Sequence, residues 1–195
     1  MGGTFNPPHI GHLICAEEVC DHFKFDRVIF VPSARPPHKN NDEILDAQHR
    51  YMMTLLATQA NPHFEVSHIE LDRPGRSYSI ETVREFKRIY EDAEIYWIVG
   101  ADSILEMSLW KDVDELLSIC EFIAINRPGY DLGQADQRFL NKVQLFKVTD
   151  VDVSSSEIRR RLMQGKSIKY LVPPAVESYI HENRLYCSHG SGKED

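Results

Sequence analysis

Nothing in these 195 residues is long and apolar enough to cross a bilayer. The apolar runs are of the order of Val28 to Val31, whereas a spanning helix needs about 20 such residues. No charged segment followed by an apolar stretch opens the chain, so nothing indicates secretion and a cytoplasmic protein is expected. There is no basic excess: 22 Lys and Arg against 30 Asp and Glu give a net charge of −8. Coating nucleic acid depends on neutralising phosphates, so such a chain is a poor candidate for it. Cysteine is scarce, and Cys15, Cys20, Cys120 and Cys187 form no C-x-x-C pair. Reduced thiols are expected rather than disulfides or zinc. No heptad or G-X-Y period marks a fibre. With 42% hydrophobic and 27% charged residues, the composition is that of a globular protein. One domain over residues 1–187 with a polar tail at 188–195 is expected, and association with further copies stays open.

What is present is an alternation of short β-rich runs and longer helical patterns. Helices are expected at Gly11 to Phe23, Asp46 to Ala60 (with Asp46 as N-cap), Ser79 to Tyr90 (capped by Ser79), Val113 to Cys120, Ser155 to Gln164 and Pro174 to Asn183. Strands are expected at Arg27 to Pro32, Phe64 to Leu71, Ile95 to Val99, Phe122 to Ile125 and Gln144 to Val148. This rhythm implies an α/β, Rossmann-like open parallel sheet with helices on both faces and a small C-terminal helical portion. Ligands on such sheets bind at the carboxyl ends of the strands. A glycine-rich turn should follow a buried strand, yet only Met1 precedes Gly2. The first strand is therefore expected to be truncated.

Two segments carry chemistry. The first runs from Gly2 through Gly3, Thr4, Phe5, Asn6, Pro7, Pro8, His9, Ile10 and Gly11 to His12. The two glycines suit a close backbone approach to a ligand. A helix opening near His9 presents backbone amides and the positive end of its dipole. His9 and His12, three apart, share one face of the first turn. As cations there they are poorly placed unless an anion is bound. The second segment is Ser154-Ser155-Ser156-Glu157-Ile158-Arg159-Arg160-Arg161. Ser154 and Glu157 have capping-box spacing. Hydroxyls, amides and arginine at one helix start suit a polyphosphate. Arg160 and Arg161 read as solvated. In a parallel sheet, helix N-termini gather on one side, so the two segments can meet around one triphosphate. The remaining histidines (His22, His38, His49, His63, His68, His181 and His189) have no metal-ligand spacing.

His9-Ile10-Gly11-His12 resembles the H-x-G-H signature of the nucleotidylyltransferase superfamily, shared with class I aminoacyl-tRNA synthetases. Val153 to Arg159 resembles the superfamily's I-S-S-T-x-I-R signature, with Val153 and Ser156 in place of Ile and Thr. Synthetases need a longer chain and a K-M-S-K-S-like loop, which is not found. Pro36-Pro37-His38-Lys39, Ser77-Tyr78-Ser79, Gly100-Ala101-Asp102-Ser103, Trp110-Lys111, Arg127-Pro128-Gly129-Tyr130 and Tyr170-Leu171-Val172-Pro173 extend the likeness from Gly2 to about Tyr186. Within the superfamily the chain resembles the bacterial nicotinate-nucleotide adenylyltransferases.

The resemblance implies transfer of the adenylyl group of ATP to nicotinate mononucleotide, by direct in-line attack at the α-phosphorus. It places His9 and His12 on the ATP phosphates, and Gly3, Thr4 and Phe5 along the nucleotide pocket. Ser155, Ser156 and Arg159 fall on the β- and γ-phosphate side. Gly100, Asp102 and Arg127 become candidate nucleotide contacts. Lys39, Tyr78, Ser79, Trp110 and Lys111 become candidate mononucleotide contacts. Mg²⁺ is implied as a bridge between phosphates, held mainly by substrate oxygens and water, so no protein ligand is named. Plainer readings stand beside several of these: Lys39 as a solvated loop lysine, Trp110 as a core residue, Tyr78 as packing and Asp102 as a helix cap. The rivals are a sister enzyme of phosphopantetheine or cytidylyl transfer, and a nucleotide-binding protein without catalysis.

Overall fold

The computed structural model describes residues 1–36, 44–126 and 135–187. The chain runs β1 (Gly2–Gly3), α1 (Ile10–Phe23), β2 (Val28–Pro32), α2 (Ala47–Thr58), β3 (Phe64–Val66), α3 (Ser79–Ile89) and β4 (Tyr96–Gly100). It continues α4 (Asp102–Leu105), a 3₁₀ turn (Met107–Leu109), α5 (Val113–Ile119), β5 (Glu121–Asn126), α6 (Gln137–Leu140), β6 (Val143–Lys147), α7 (Ser155–Met163) and α8 (Pro174–Glu182). Two three-stranded sheets, β1-β2-β3 and β4-β5-β6, are parallel throughout. They meet where β1 lies against β4. Across that junction the order is β3-β2-β1-β4-β5-β6, a doubly wound sheet whose switch point falls between β1 and β4.

The period-2 alternation of the strands divides the core. Trp97 and Val99 of β4, with Phe122 and Ala124 of β5, pack on α3 and α5 through Ile80, Val83 and Leu116. Their neighbours Ile98, Ile123 and Ile125 face the other way, onto Cys15, Ala16 and Val19 of α1 and Val28 and Phe30 of β2. The C-terminal helices make a third cluster. Ile158, Val176 and Ile180 close on Met53 and Ala57 of α2. The C-terminal helical portion is thus packed against the sheet's own helix layer.

The first strand is made of the glycine pair itself, Gly2–Gly3, instead of preceding it. Met1 lengthens its pairing: its amine donates to Ile29 O at 2.8 Å and its carbonyl accepts from Val31 N at 2.9 Å. Burial pushes the pKa of that amine down to about 5. The glycine pair is also closely packed from within the protein. A Cβ on Gly2 would sit 2.7 Å from the Trp97 indole, and one on Gly3 would sit 2.8 Å from the Phe5 ring. Both glycines make room for aromatic rings of the protein.

Three further expectations are corrected. β3 ends at Val66 rather than Leu71. Ser67 N donates to Phe30 O at 2.9 Å, and the next rung would need the N–H that Pro32 lacks. Ser79 does not cap α3: Tyr78 occupies the N-cap, with no side-chain cap, and Ser79 is the first helical residue. Likewise Asp102 is the first residue of α4, and Ala101 precedes it as N-cap. Asp46 does cap α2, accepting from Gln48 N at 2.8 Å.

Gly2→Ala should destabilise the protein by about 1–3 kcal/mol through overpacking against Trp97, as measured by urea unfolding. In a Trp97→Leu background, Gly2→Ala should cost less than it does in wild type. Wild-type stability for Gly2→Ala would mean the indole yields without cost.

Candidate active site

The loop leaving β1 is shaped by Phe5. It is buried and holds a left-handed backbone, with φ 48°. Its ring stands edge-on to His12 with centroids 5.1 Å apart. His9 is buried and takes an extended conformation as N-cap of α1. Its backbone N–H donates to His12 Nδ1 at 3.1 Å, and the two rings lie close, with centroids 3.7 Å apart and tilted by 31°. Because Nδ1 of His12 accepts, a neutral ring carries its proton on Nε2 and offers it as a donor. One first-turn amide of α1 is already used, since Ile10 N donates to Leu171 O at 3.0 Å.

The second segment is joined to this loop directly. Ser155 Oγ donates to Pro7 O at 2.8 Å, and Arg159 Nη1 donates to Asn6 O at 2.8 Å. The two signature segments, about 150 residues apart in sequence, therefore share one site. Ser154 caps α7 through Glu157 N at 3.2 Å. Ser156 Oγ lies 3.2 Å from Ser154 Oγ. Arg160 turns outward onto Glu157, and Arg161 approaches the same carboxylate. The Ser155 hydroxyl acts here as a fastener of the loop.

A cavity of about 210 Å³ occupies the β1/β4 switch point. Gly2, Gly3, Phe5 and His12 line one wall, and the segment from Ile98 to Ser103 lines the other. It is smaller than a typical whole-ligand pocket and suits part of a nucleotide. The Asp102 carboxylate folds back over Gly100, where a Cβ would stand. A larger cavity of about 680 Å³ lies between the start of α2 and residues 71–75, and none of the expected site residues line it.

The four expected mononucleotide contacts that can be placed lie close together. Lys111 Nζ sits 4.6 Å above the Tyr78 ring and donates to Glu81 Oε1 at 2.6 Å. That contact with Glu81 raises the lysine's pKa. Trp110 is half-buried, and its ring is 6.3 Å from that of Phe122. It is thus both packed and partly open. Ser79 follows Tyr78 at the start of α3. Lys39 and Arg127 lie outside the described residues.

Several residues that hold the site escaped the sequence reading. Arg50 is 1% exposed and donates to Thr4 O (2.8 Å), Ala34 O (3.2 Å) and Leu45 O (2.8 Å). It ties the loop after β1 to the loop after β2, and burial lowers its pKa. A signal existed: Arg50, Met53, Thr54 and Ala57 recur at helical spacing on the buried stripe of α2. Gly3 O accepts from Ser33 N at 2.9 Å. Ser77 Oγ accepts from Ala34 N at 2.9 Å and Arg35 N at 3.2 Å, which sews the loop after β2 to the start of α3. Behind it lies Glu70, buried, taking the Thr82 hydroxyl at 2.7 Å. Burial raises the Glu70 pKa, against hydrogen bonds from Thr82 and Ser77 and the charges of Arg73 and Arg50.

The model of the cytidylyltransferase-like family matches residues 1–161. A protein of Thermoanaerobacter sp., curated as "Probable nicotinate-nucleotide adenylyltransferase", is 50% identical over 95% of this chain and 92% of its own. One of the same description from Moorella thermoacetica is 49% identical, over 95% of this chain and 89% of its own. The chain belongs to the nicotinate-nucleotide adenylyltransferase family of cytidylyltransferase-like proteins. The fold agrees. The solved Plasmodium falciparum nicotinic acid mononucleotide adenylyltransferase complexed with NaAD superposes with a TM-score of 0.79 at 20% identity. That match covers 95% of this chain and 94% of the other. Among the described residues of this adenylyltransferase, no helix is long and apolar enough to cross a membrane.

The buried carboxyl of Glu70 yields a pH prediction. Its folded pKa lies above the unfolded value of about 4.5, so the folded state holds the proton more tightly. The stability of wild type relative to Glu70→Gln should fall as pH rises from about 4.5 through the folded pKa, and level off above it. Urea unfolding of both proteins across that range checks this. A pH-independent difference would mean that burial leaves the carboxyl unperturbed.

Proposed function

We propose that this chain transfers the adenylyl group of ATP to nicotinate mononucleotide, giving deamido-NAD and pyrophosphate. The observation that carries the reading at this site is the junction of the close His9–His12 pair with the start of α7. It runs through Ser155 to Pro7 O and Arg159 to Asn6 O. Two helix starts that favour anions are thereby fixed beside one loop.

In the reaction, a phosphate oxygen of the mononucleotide attacks the α-phosphorus in line. One P–O bond forms there while the bond from the α-phosphorus to the bridging oxygen breaks, and pyrophosphate leaves with its electron pair. No side chain needs to become a nucleophile. The chain's work is positioning and neutralisation of charge. His12 accepts the His9 N–H at Nδ1, which leaves Nε2–H to donate to a phosphate oxygen. His9 orients it through their shared backbone-to-ring bond. Arg159 keeps further guanidinium donors for the leaving pyrophosphate beside the one committed to Asn6 O. Ser155 and Ser156 line that approach. Gly3, Thr4, Phe5, Gly100 and Asp102 shape the nucleotide side.

On the mononucleotide side, Trp110 offers an indole face to the pyridine ring. Backbone amides near Ser79 and Lys111 accept a carboxylate more readily than a carboxamide. Lys39 and Arg127 belong to the same expectation. A magnesium ion would be carried mainly by the triphosphate and water. Bound in that way, the ion supplies neutralisation of phosphate charge.

Pyrophosphate release with ATP and each of nicotinate mononucleotide, nicotinamide mononucleotide and phosphopantetheine tests the reading. Turnover is expected with nicotinate mononucleotide. Turnover with phosphopantetheine alone would mark a sister enzyme, and ATP binding without pyrophosphate release would mark a non-catalytic protein. His12→Ala should lower kcat by about 10²–10³-fold with the mononucleotide KM nearly unchanged. An equal weakening of binding would make His12 a simple binding group. Trp110→Ala should raise the mononucleotide KM by up to about ten-fold, the scale of an aromatic stacking contact. An unchanged KM with a lost fold would make Trp110 a core residue.

A further inference from the structure

The geometry points to Tyr186 as a positioning residue for adenylyl transfer, acting on the imidazole pair through Asn6. This rests on the functional reading above. It concerns a part of the chain beyond residues 1–161, the region matched by the family model.

Three side chains from the C-terminal part of the chain grip two consecutive residues of the loop after β1. Ser155 holds the Pro7 carbonyl, Arg159 holds the Asn6 carbonyl, and the Tyr186 hydroxyl donates to Asn6 Oδ1 at 2.8 Å. Asn6 is buried, and its Oδ1 also takes a longer bond from Leu45 N at 3.4 Å. His9 caps α1 only three residues further on. The first two grips come from the α7 signature. The third comes from a residue that the signature does not contain.

The backbone after α8 is bent to bring this hydroxyl into place. Arg184 and Tyr186 both hold left-handed conformations, at φ 50° and 60°. Neither is glycine, so both conformations are unfavourable and persist where the surroundings fix them. Leu185 between them is buried in the third core cluster and anchors the bend. The phenol faces Arg159 and Arg50, whose charges favour its ionised form, and burial outweighs them. It therefore stays a protonated donor, which is the state that the Asn6 bond requires. One guanidinium, one serine hydroxyl and one phenol thus fix Asn6 and Pro7, and the His9–His12 pair inherits that placement.

Tyr186→Phe removes only the hydroxyl and keeps the ring. In the full chain it is expected to lower kcat about ten-fold with KM for both substrates within about two-fold, since small misplacements of reacting groups cost rate rather than ground-state binding. Tm should hold within a few degrees, and the NMR titrations of the His9 and His12 ring protons should shift. In an Asn6→Ala background, Tyr186→Phe should cause no further loss. Unchanged kcat and unchanged titrations would overturn the proposal. So would losses that multiply independently with Asn6→Ala, or a lowered Tm with both titrations unmoved, the mark of a merely stabilising contact. If wild type shows no adenylyl transfer, the functional reading fails, and the imidazole titrations then decide the role of Tyr186 by themselves.

Discussion

Two neighbouring backbone carbonyls, those of Asn6 and Pro7, hold the two signature segments together. Each accepts one hydrogen bond from α7, at 2.8 Å. Such bonds contribute only about 0.5–1.5 kcal/mol each, or somewhat more from a charged donor. Their importance is geometric, because no regular ladder joins the loop to the helix. Without them, the imidazole pair and Arg159 would belong to separately packed parts of the chain: α1 against the sheet, α7 against α2.

The sheet explains why these carbonyls lie where they do. Short parallel strands deliver their following loops to one edge, and β1 and β4 part at the switch point. That parting leaves the crevice bounded by Gly3, Phe5, His12 and Asp102. Tight packing beneath it fixes the strands. The Trp97 indole passes over Gly2, and the Phe5 ring lies against Gly3. Arg50 then binds the loops after β1 and β2 to each other with three carbonyl contacts. A buried guanidinium is costly unless its donors are matched, and here each described contact falls on a carbonyl that would otherwise be poorly solvated.

Much of this was legible in the sequence. The strand–helix rhythm, the opening of α1 near His9 and the start of α7 after Ser154 follow from local patterns, and the structure agrees with them. Helices as short as α4 and α6, four residues each, carry no readable period. The length of β3 depended on Pro32 in a different strand, a tertiary effect that composition cannot reveal. The glycines read as making room for a ligand also admit two of the protein's own rings, Trp97 and Phe5. Only distance in space identifies such partners. Arg50 could have been found as a charge on an apolar stripe. Tyr186 could not, since its partner lies 180 residues away and no motif links them.

The most direct measurement is a crystal structure of the chain with a non-hydrolysable ATP analogue. The expected result is one triphosphate met from one side by His9, His12 and the start of α1, and from the other by Arg159 at the start of α7. A triphosphate bound to only one of these segments, with Arg159 directed to a different surface, would contradict adenylyl transfer at this site.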